Sequence, residues 1–504
     1  MLQFLRTRYY ENSTTANLMV AFVLALLAVL LGAGIGYAGP LLTAVAVTAV
    51  LVAFWAMTNL EACFYCLLAV IALLPFGTLP FKVVITPTFL DLALAGVIFI
   101  YLFEWMAGKR WHLALTPITL PLLIFWVLAV VAFIAGSKNG ALTPNVLRKF
   151  AEFLLSMLFV IVIVDYVRTV GQVNRLVKAL LLLGGLAALI GLVLYVLPTT
   201  VSQQLLDLLR VIGYYPNGGG VRFIEDNPEL SQRAIGTWVD PNAFGGWMAM
   251  VGALMAPQLL ARQPSLRPRW LVWLLFAVVG VMVVLTFSRS AMVGLLAGVM
   301  FLAVLRYRRL LLLFALIAVV FLFLPFTQTY IERFLAGLAV FQDFNSADLA
   351  TQMRIGEYRD ALTLIQRYPL LGVGFAGTPD VDIYLGVSSA YFLLAQEMGL
   401  IGLGAFLLLV VSIFAWGFWH WPAVSRQPAL VAPWLGLHGG LVAALVVGFA
   451  DHYFLNLEFH ASQTSFWIFA GLGLACTRLA SLAAKPAQLA AGLPVAREYS
   501  EMLG

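Results

Sequence analysis

Residues 269–305 read RWLVWLLFAVVGVMVVLTFSRSAMVGLLAGVMFLAVL: two apolar runs with one polar break, TFSRS, between them. Each run matches the roughly 20 helical residues needed to cross a hydrocarbon core about 30 Å thick. The break is too short to leave the membrane surface, so the reading predicts two membrane helices joined by a very tight turn at Ser288, Arg289 and Ser290. That turn holds the Arg289 guanidinium near the headgroup plane. A cation there either snorkels to lipid phosphate or binds a substrate phosphate, and five donors in a rigid fork suit a diphosphate better than a lone ammonium does.

The same pattern continues outward in both directions. Of 504 residues, 63% are hydrophobic and 10% charged. Apolar runs fall at about 16–38, 40–57, 60–76, 88–107, 116–136, 150–167, 174–197, 240–260, 269–287, 289–306, 309–327, 388–418, 430–450 and 462–482. The chain therefore reads as an all-α integral membrane protein of about 12–14 transmembrane helices. It is organised as one polytopic domain over 1–482 with a short cytoplasmic tail over 483–504. The run from Ala16 follows Arg6 and Arg8 but leads into many further spans and lacks a small-residue cleavage site, so it reads as a first helix and not a removed leader.

Charge sets the orientation. With the N-terminus in the cytoplasm, seventeen of the 29 Lys and Arg lie on the inner side and twelve on the outer, and the short loops favour the inside. Both termini are then cytoplasmic. The outer cations gather in two long loops, 198–239 and 327–387, where charge does not direct topology and needs another explanation. The net charge of +6 is a topology signal and points to no nucleic acid. Cys63 and Cys66 have metal-ligand spacing but lack a second ligand pair, and Cys476 stands alone, so the cysteines read as structural and no metal site is expected.

The first long loop leads into YYPNGGGVRFIEDNPELSQRAIGTWVDPNAFGG. Its segment 201–212 reads as an interfacial helix, and Asp240 before Pro241 reads either as the cap of the next helix or as a site residue. Asn242 and Gly245 fall in that helix's first turn, where free amides favour an anion. In the second loop, DLATQMRIGEYRDALTLIQRYPLLGVGFAG spaces Ile355, Tyr358, Ala361, Leu362 and Ile365 as the apolar face of a helix lying along the membrane. Arg354 opens this helix in the reading, as a substrate contact or as the partner of Glu357 or Asp348. Arg359 and Arg367 read as solvated or headgroup charges.

In order, RAIGTWVDPNAFGG, FSRSAMVG, MRIGEYRDALTLIQRYPLLGVGFAG and SSAYFLLAQEMGLIGLGAF resemble the O-antigen ligase and O-antigen polymerase superfamily of bacterial membrane glycosyltransferases. The resemblance covers roughly 233–408. It implies a GT-C-like fold in the inner membrane and a metal-independent, inverting reaction without cofactor. A glycan carried on undecaprenyl diphosphate passes, at the outer face, to a glycan or lipid-glycan acceptor. It also implies that Arg233, Arg289 and Arg354 grip the lipid diphosphate. Leaving-group charge grows in the transition state, where fixed cations act most strongly.

One departure stands out. Ligases of this family carry a His-Asn pair nine residues before the glutamate of E-x-G-x-x-G-L, and here Glu397 counts back to Ser388 and Ser389. Substitute bases are His452 with Asp451 in ADHYFLNLEFH, Asp382, or Glu225 and Asp226; an imidazole is chemically the most suitable. Glu397, inside a span, is a costly carboxylate and so a further candidate. Two other classes share these features: a transporter or flippase of lipid-linked sugars or small anions, and a non-catalytic component of a polysaccharide assembly complex. Transport predicts charge at mid-depth in several helices, whereas here charge collects in the outer loops.

Overall fold

The computed structural model describes residues 13–79, 85–109, 112–214, 220–312, 349–378 and 386–492. The expected span at 309–327, Asp348 and Asp382 lie largely or wholly outside these residues. The chain divides into two units, Met1–Cys66 and Leu67–Gly504.

The first unit holds α1 (Ser13–Ala56) and the opening turns of α2 (Leu60–Leu73). The two spans expected on either side of residue 39 are one helix interrupted at Gly39, whose φ of 81° precedes Pro40. Proline removes a donor and glycine accepts the left-handed backbone, which accounts for the break. The Cys63 thiol donates to Ala56 O (2.9 Å).

Among its described residues the second unit is mostly helical. Its longer elements are α3 (Phe89–Met106), α4 (Thr119–Gly136), α5 (Pro144–Tyr166), α6 (Val170–Val196), α8 (Pro241–Leu260), α9 (Arg269–Leu285), α10 (Arg289–Leu305), α11 (Leu349–Arg367), α12 (Ala390–Trp419), α14 (Pro428–Val447) and α15 (His460–Gly492). Two short helices, α7 (Thr199–Asp207) and α13 (Trp421–Ser425), and a two-stranded hairpin of β1 (Arg222–Phe223) and β2 (Gln232–Arg233) complete the described elements named here. Among the described residues, seven helices are long and apolar enough to cross a membrane, and α2, α9 and α10 are shorter apolar helices. This is an all-α integral membrane protein. α15 runs on to Gly492, so the part of the expected tail that is described continues the last helix.

α8 and α14 are buried along most of their length, whereas α3, α4, α6 and α12 turn much of their surface outward. Between helices in lipid the hydrophobic effect gives little attraction, so close backbone approach has to supply it. The α10–α14 seam does this: a Cβ on Gly298 would lie 2.6 Å from the Gly439 carbonyl oxygen. Against α8, a Cβ on Gly436 would lie 2.8 Å from the Leu254 carbonyl oxygen.

α12 breaks at Gly399, with φ of 68°. The chain after α11 covers the break: Val373 N donates to Gln396 O (2.8 Å), Gly374 N to Glu397 O (3.0 Å) and Leu400 N to Pro369 O (2.8 Å). Carbonyls and amides freed by the break are thus paired inside the protein, as a membrane interior requires.

Candidate functional site

One end of the second unit collects the N-termini of α8, α10, α12 and α15 and the C-termini of α9 and α14. The predicted cap forms: Asp240 Oδ1 accepts from Asn242 N (2.8 Å) and Ala243 N (2.9 Å), with Pro241 in the first turn of α8. The predicted tight turn forms as well. α9 ends at Leu285, Ser288 caps α10 through the Ala291 amide, and Arg289, half-buried, is the first residue of α10.

β2 delivers Arg233 to these two turns. Ala234 N donates to Leu285 O (2.8 Å), tying the strand to the end of α9. The Arg233 Nε then donates to Thr286 O (2.8 Å) and Nη2 to Asn242 Oδ1 (2.5 Å). A cation on the carbonyls that end a helix is favourably placed against the dipole. Burial pulls this guanidinium below its ordinary range, while Asp240, Tyr453 and Asp451 oppose that pull.

The loop between α14 and α15 supplies the opposite charge. Asp451, 3% exposed, accepts from the Ser290 hydroxyl and lies 3.7 Å from Arg354 Nη2. Ser290 in turn shares a hydrogen bond with Ser288 (3.0 Å). Burial pushes the Asp451 carboxyl up to about 6, against the attraction of Arg354, the Ser290 bond and Arg233. Tyr453, buried beside it, hydrogen-bonds to Asp240 and Asn242, and burial holds its phenol protonated.

His452 faces the segment that leads into Ser388 and Ser389. Its Nδ1 lies 3.0 Å from the Val387 carbonyl oxygen, one residue before Ser388. A carbonyl can only accept, so Nδ1 carries the proton and Nε2 keeps its lone pair. Burial lowers the imidazole below its ordinary value, offset in part by that bond, Asp240 and Glu357. The neutral ring at pH 7 is therefore a base with its acceptor atom defined.

Ser388 and Ser389 act here through their backbone and the second hydroxyl. Ser388 N donates to Glu357 Oε2 (2.8 Å), Ser388 O accepts from the Tyr358 hydroxyl (3.1 Å), and Ser389 Oγ donates to Gly448 O (3.4 Å). These bonds dock α11 on the start of α12, with Ala361 packed against Val387 and Leu393.

Two expectations change. Arg354 does not open its helix: α11 begins at Leu349, which puts Arg354 in the second turn, and it reaches Asp451 instead of pairing with Glu357. Glu397 stands apart. Among the described residues no hydrogen bond or ion pair joins its side chain to this group; it is buried at the α12 break with Oε2 unpartnered. Glu225 and Asp226 are exposed at the hairpin turn. Sequence reading had missed Tyr453, Tyr358 and the two serines beside Arg289. Only the serines left a signal, as hydroxyls flanking an arginine at a helix start.

A family model described as O-antigen ligase matches residues 274–407. The match supports the resemblance to the O-antigen ligase and polymerase superfamily, and its segment contains Arg289, Arg354, Ser388, Ser389 and Glu397. Among curated proteins none matches.

Proposed function

We propose, from the premise that residues 274–407 form an O-antigen ligase segment, that this chain is a glycosyltransferase of the bacterial inner membrane. In this reading it transfers or polymerises a glycan from undecaprenyl diphosphate onto an acceptor glycan, at the outer face, with inversion and without a metal. The observation that carries the reading is the juxtaposition of Arg233, Arg354 and Asp451 with an imidazole whose free nitrogen is a base.

Arg233, Arg289 and Arg354 hold the diphosphate. As the sugar–phosphate bond breaks, negative charge grows on the diphosphate, and cations already in place stabilise it without reorganisation. His452 Nε2 takes the proton of the attacking acceptor hydroxyl. Asp451 positions Arg354 and Ser290, and Asp240 and Glu357 favour the imidazolium as it forms. Asp240, Asn242, Ser388 and Ser389 hold these groups in place, and Glu397 has a structural role at the α12 break. Supplying an imidazole beside residue 387 from a distant loop accounts for the serines at 388 and 389.

The broken α12, with Gln396 and Glu397 carrying unpartnered polar atoms, is the observation that favours the transport alternative. One assay separates the two. Membranes containing the chain receive a synthetic undecaprenyl-diphosphate oligosaccharide and an acceptor glycan in the presence of a chelator. Wild type is compared with Arg289→Ala, Arg354→Ala and His452→Ala. Release of undecaprenyl diphosphate that collapses in the variants supports transfer. Movement of intact donor across the bilayer, with no release from wild type, sinks it.

A further inference from the structure

The far ends of α8 and α9 carry a second cationic site. The α8 helix has 20 residues, a rise of about 30 Å. Its N-terminus lies at Asp240 in the site above and α9 returns to that site at Thr286, so the 261–268 connection lies one membrane thickness away. There Arg262, Pro264, Arg267, Pro268 and Arg269 line a cavity of about 510 Å³.

The connection is held in shape. Ser265 N donates to Gln258 Oε1 (2.8 Å), Ser265 Oγ donates to Asn174 Oδ1 on α6 (2.6 Å), and Arg269 Nη2 donates to Ala261 O (2.7 Å). Leu266 and Ala261 are buried beneath it. Arg262 and Arg267 are exposed, and residues 258–285 contain no Asp or Glu to neutralise the three guanidinium groups. Just beyond, Trp270 and Trp273 are 65% and 55% exposed, as indoles are where a helix enters the headgroup layer.

We infer that this cavity binds the phosphate of an anionic membrane lipid headgroup on the side opposite the Arg233–Asp451 site. Forked donors on a fixed turn match phosphate oxygens. The exposed tryptophans place the cavity mouth at the depth where headgroups lie and argue for a lipid over a free anion. The site is separate from the glycan-transfer reading, and its binding is measured without turnover.

The test uses full-length, delipidated protein in neutral detergent, titrated with short-chain phosphatidylglycerol, short-chain phosphatidylcholine and inorganic phosphate. Wild type is compared with Arg262→Gln/Arg267→Gln, which keeps Arg269 and its bond to Ala261. Phosphatidylglycerol is expected to bind about tenfold more weakly to the double variant, and phosphatidylcholine at least as weakly to wild type. Equal phosphatidylglycerol binding by both proteins overturns the site. Inorganic phosphate binding as tightly as phosphatidylglycerol overturns the lipid assignment. Should the double variant lose its fold, the single variants Arg262→Gln and Arg267→Gln decide the question, each at about threefold.

Discussion

Asp451→Asn separates a carboxylate kept for function from one kept for stability. Burial lifts this carboxyl from 3.8 to about 6, so the folded protein at neutral pH carries the charge at a cost of about 3 kcal/mol. The folded state binds the proton more tightly than the unfolded one. Stability from this group is therefore fully present below about pH 4, is lost as pH rises toward 6, and stays lost above. Asparagine keeps the shape and a hydrogen-bond acceptor for Ser290 but never ionises. The stability of the variant relative to wild type should rise by roughly 2–3 kcal/mol between about pH 4 and about pH 7, then level off. Denaturant-induced unfolding of both proteins in mixed micelles, across that range, measures the difference directly. Transfer by the variant at neutral pH should fall by about 100-fold, because Arg354 loses its anchor. A difference in stability that is flat with pH, or a variant that unfolds more easily at about pH 8 while transferring normally, would refute the reasoning.

His452→Ala should lower kcat by about 100- to 10,000-fold with little change in donor KM, measured by steady-state release of the lipid diphosphate. Arg233→Lys keeps the charge but cannot span Thr286 O and Asn242 Oδ1 together; about a tenfold loss in donor affinity is expected in a direct binding titration. Gly298→Ala pushes a methyl group to 2.6 Å from the Gly439 carbonyl and should cost about 1–3 kcal/mol of stability, read as a lower unfolding midpoint.

Local rules made parts of this architecture readable in advance. The spans followed from hydropathy, the Asp240 cap from an acid before a helical proline, and the Ser288 turn from a polar break only five residues long. Each depends on neighbours in the chain. The Ser290–Asp451 bond joins residues 161 apart, and His452 meets Val387 across 65. No periodicity links such positions, because their meeting is set by which helices pack against α8. The break at Gly399 was hidden for another reason. Only Gln396 and Glu397 interrupt the apolar residues around it, and the carbonyls it frees are paired by Val373 and Gly374, 23 residues upstream, so hydropathy shows one continuous run.

The seam between α10 and α14 bears on how the proposed lipid-linked donor would be held. Arg233 is tied to the ends of α8 and α9, next to helices in backbone contact, and to separate these is to lose packing along their length. Arg354 rides on α11, joined to the start of α12 by two side-chain hydrogen bonds and a small apolar contact. The two cations are thus held differently, one by the ends of closely packed helices and the other by a helix with few ties to its neighbour. If the proposed lipid diphosphate binds between the two arginines, it adds a tie between α11 and the ends of α8 and α9 to the Arg354–Asp451 pair already there.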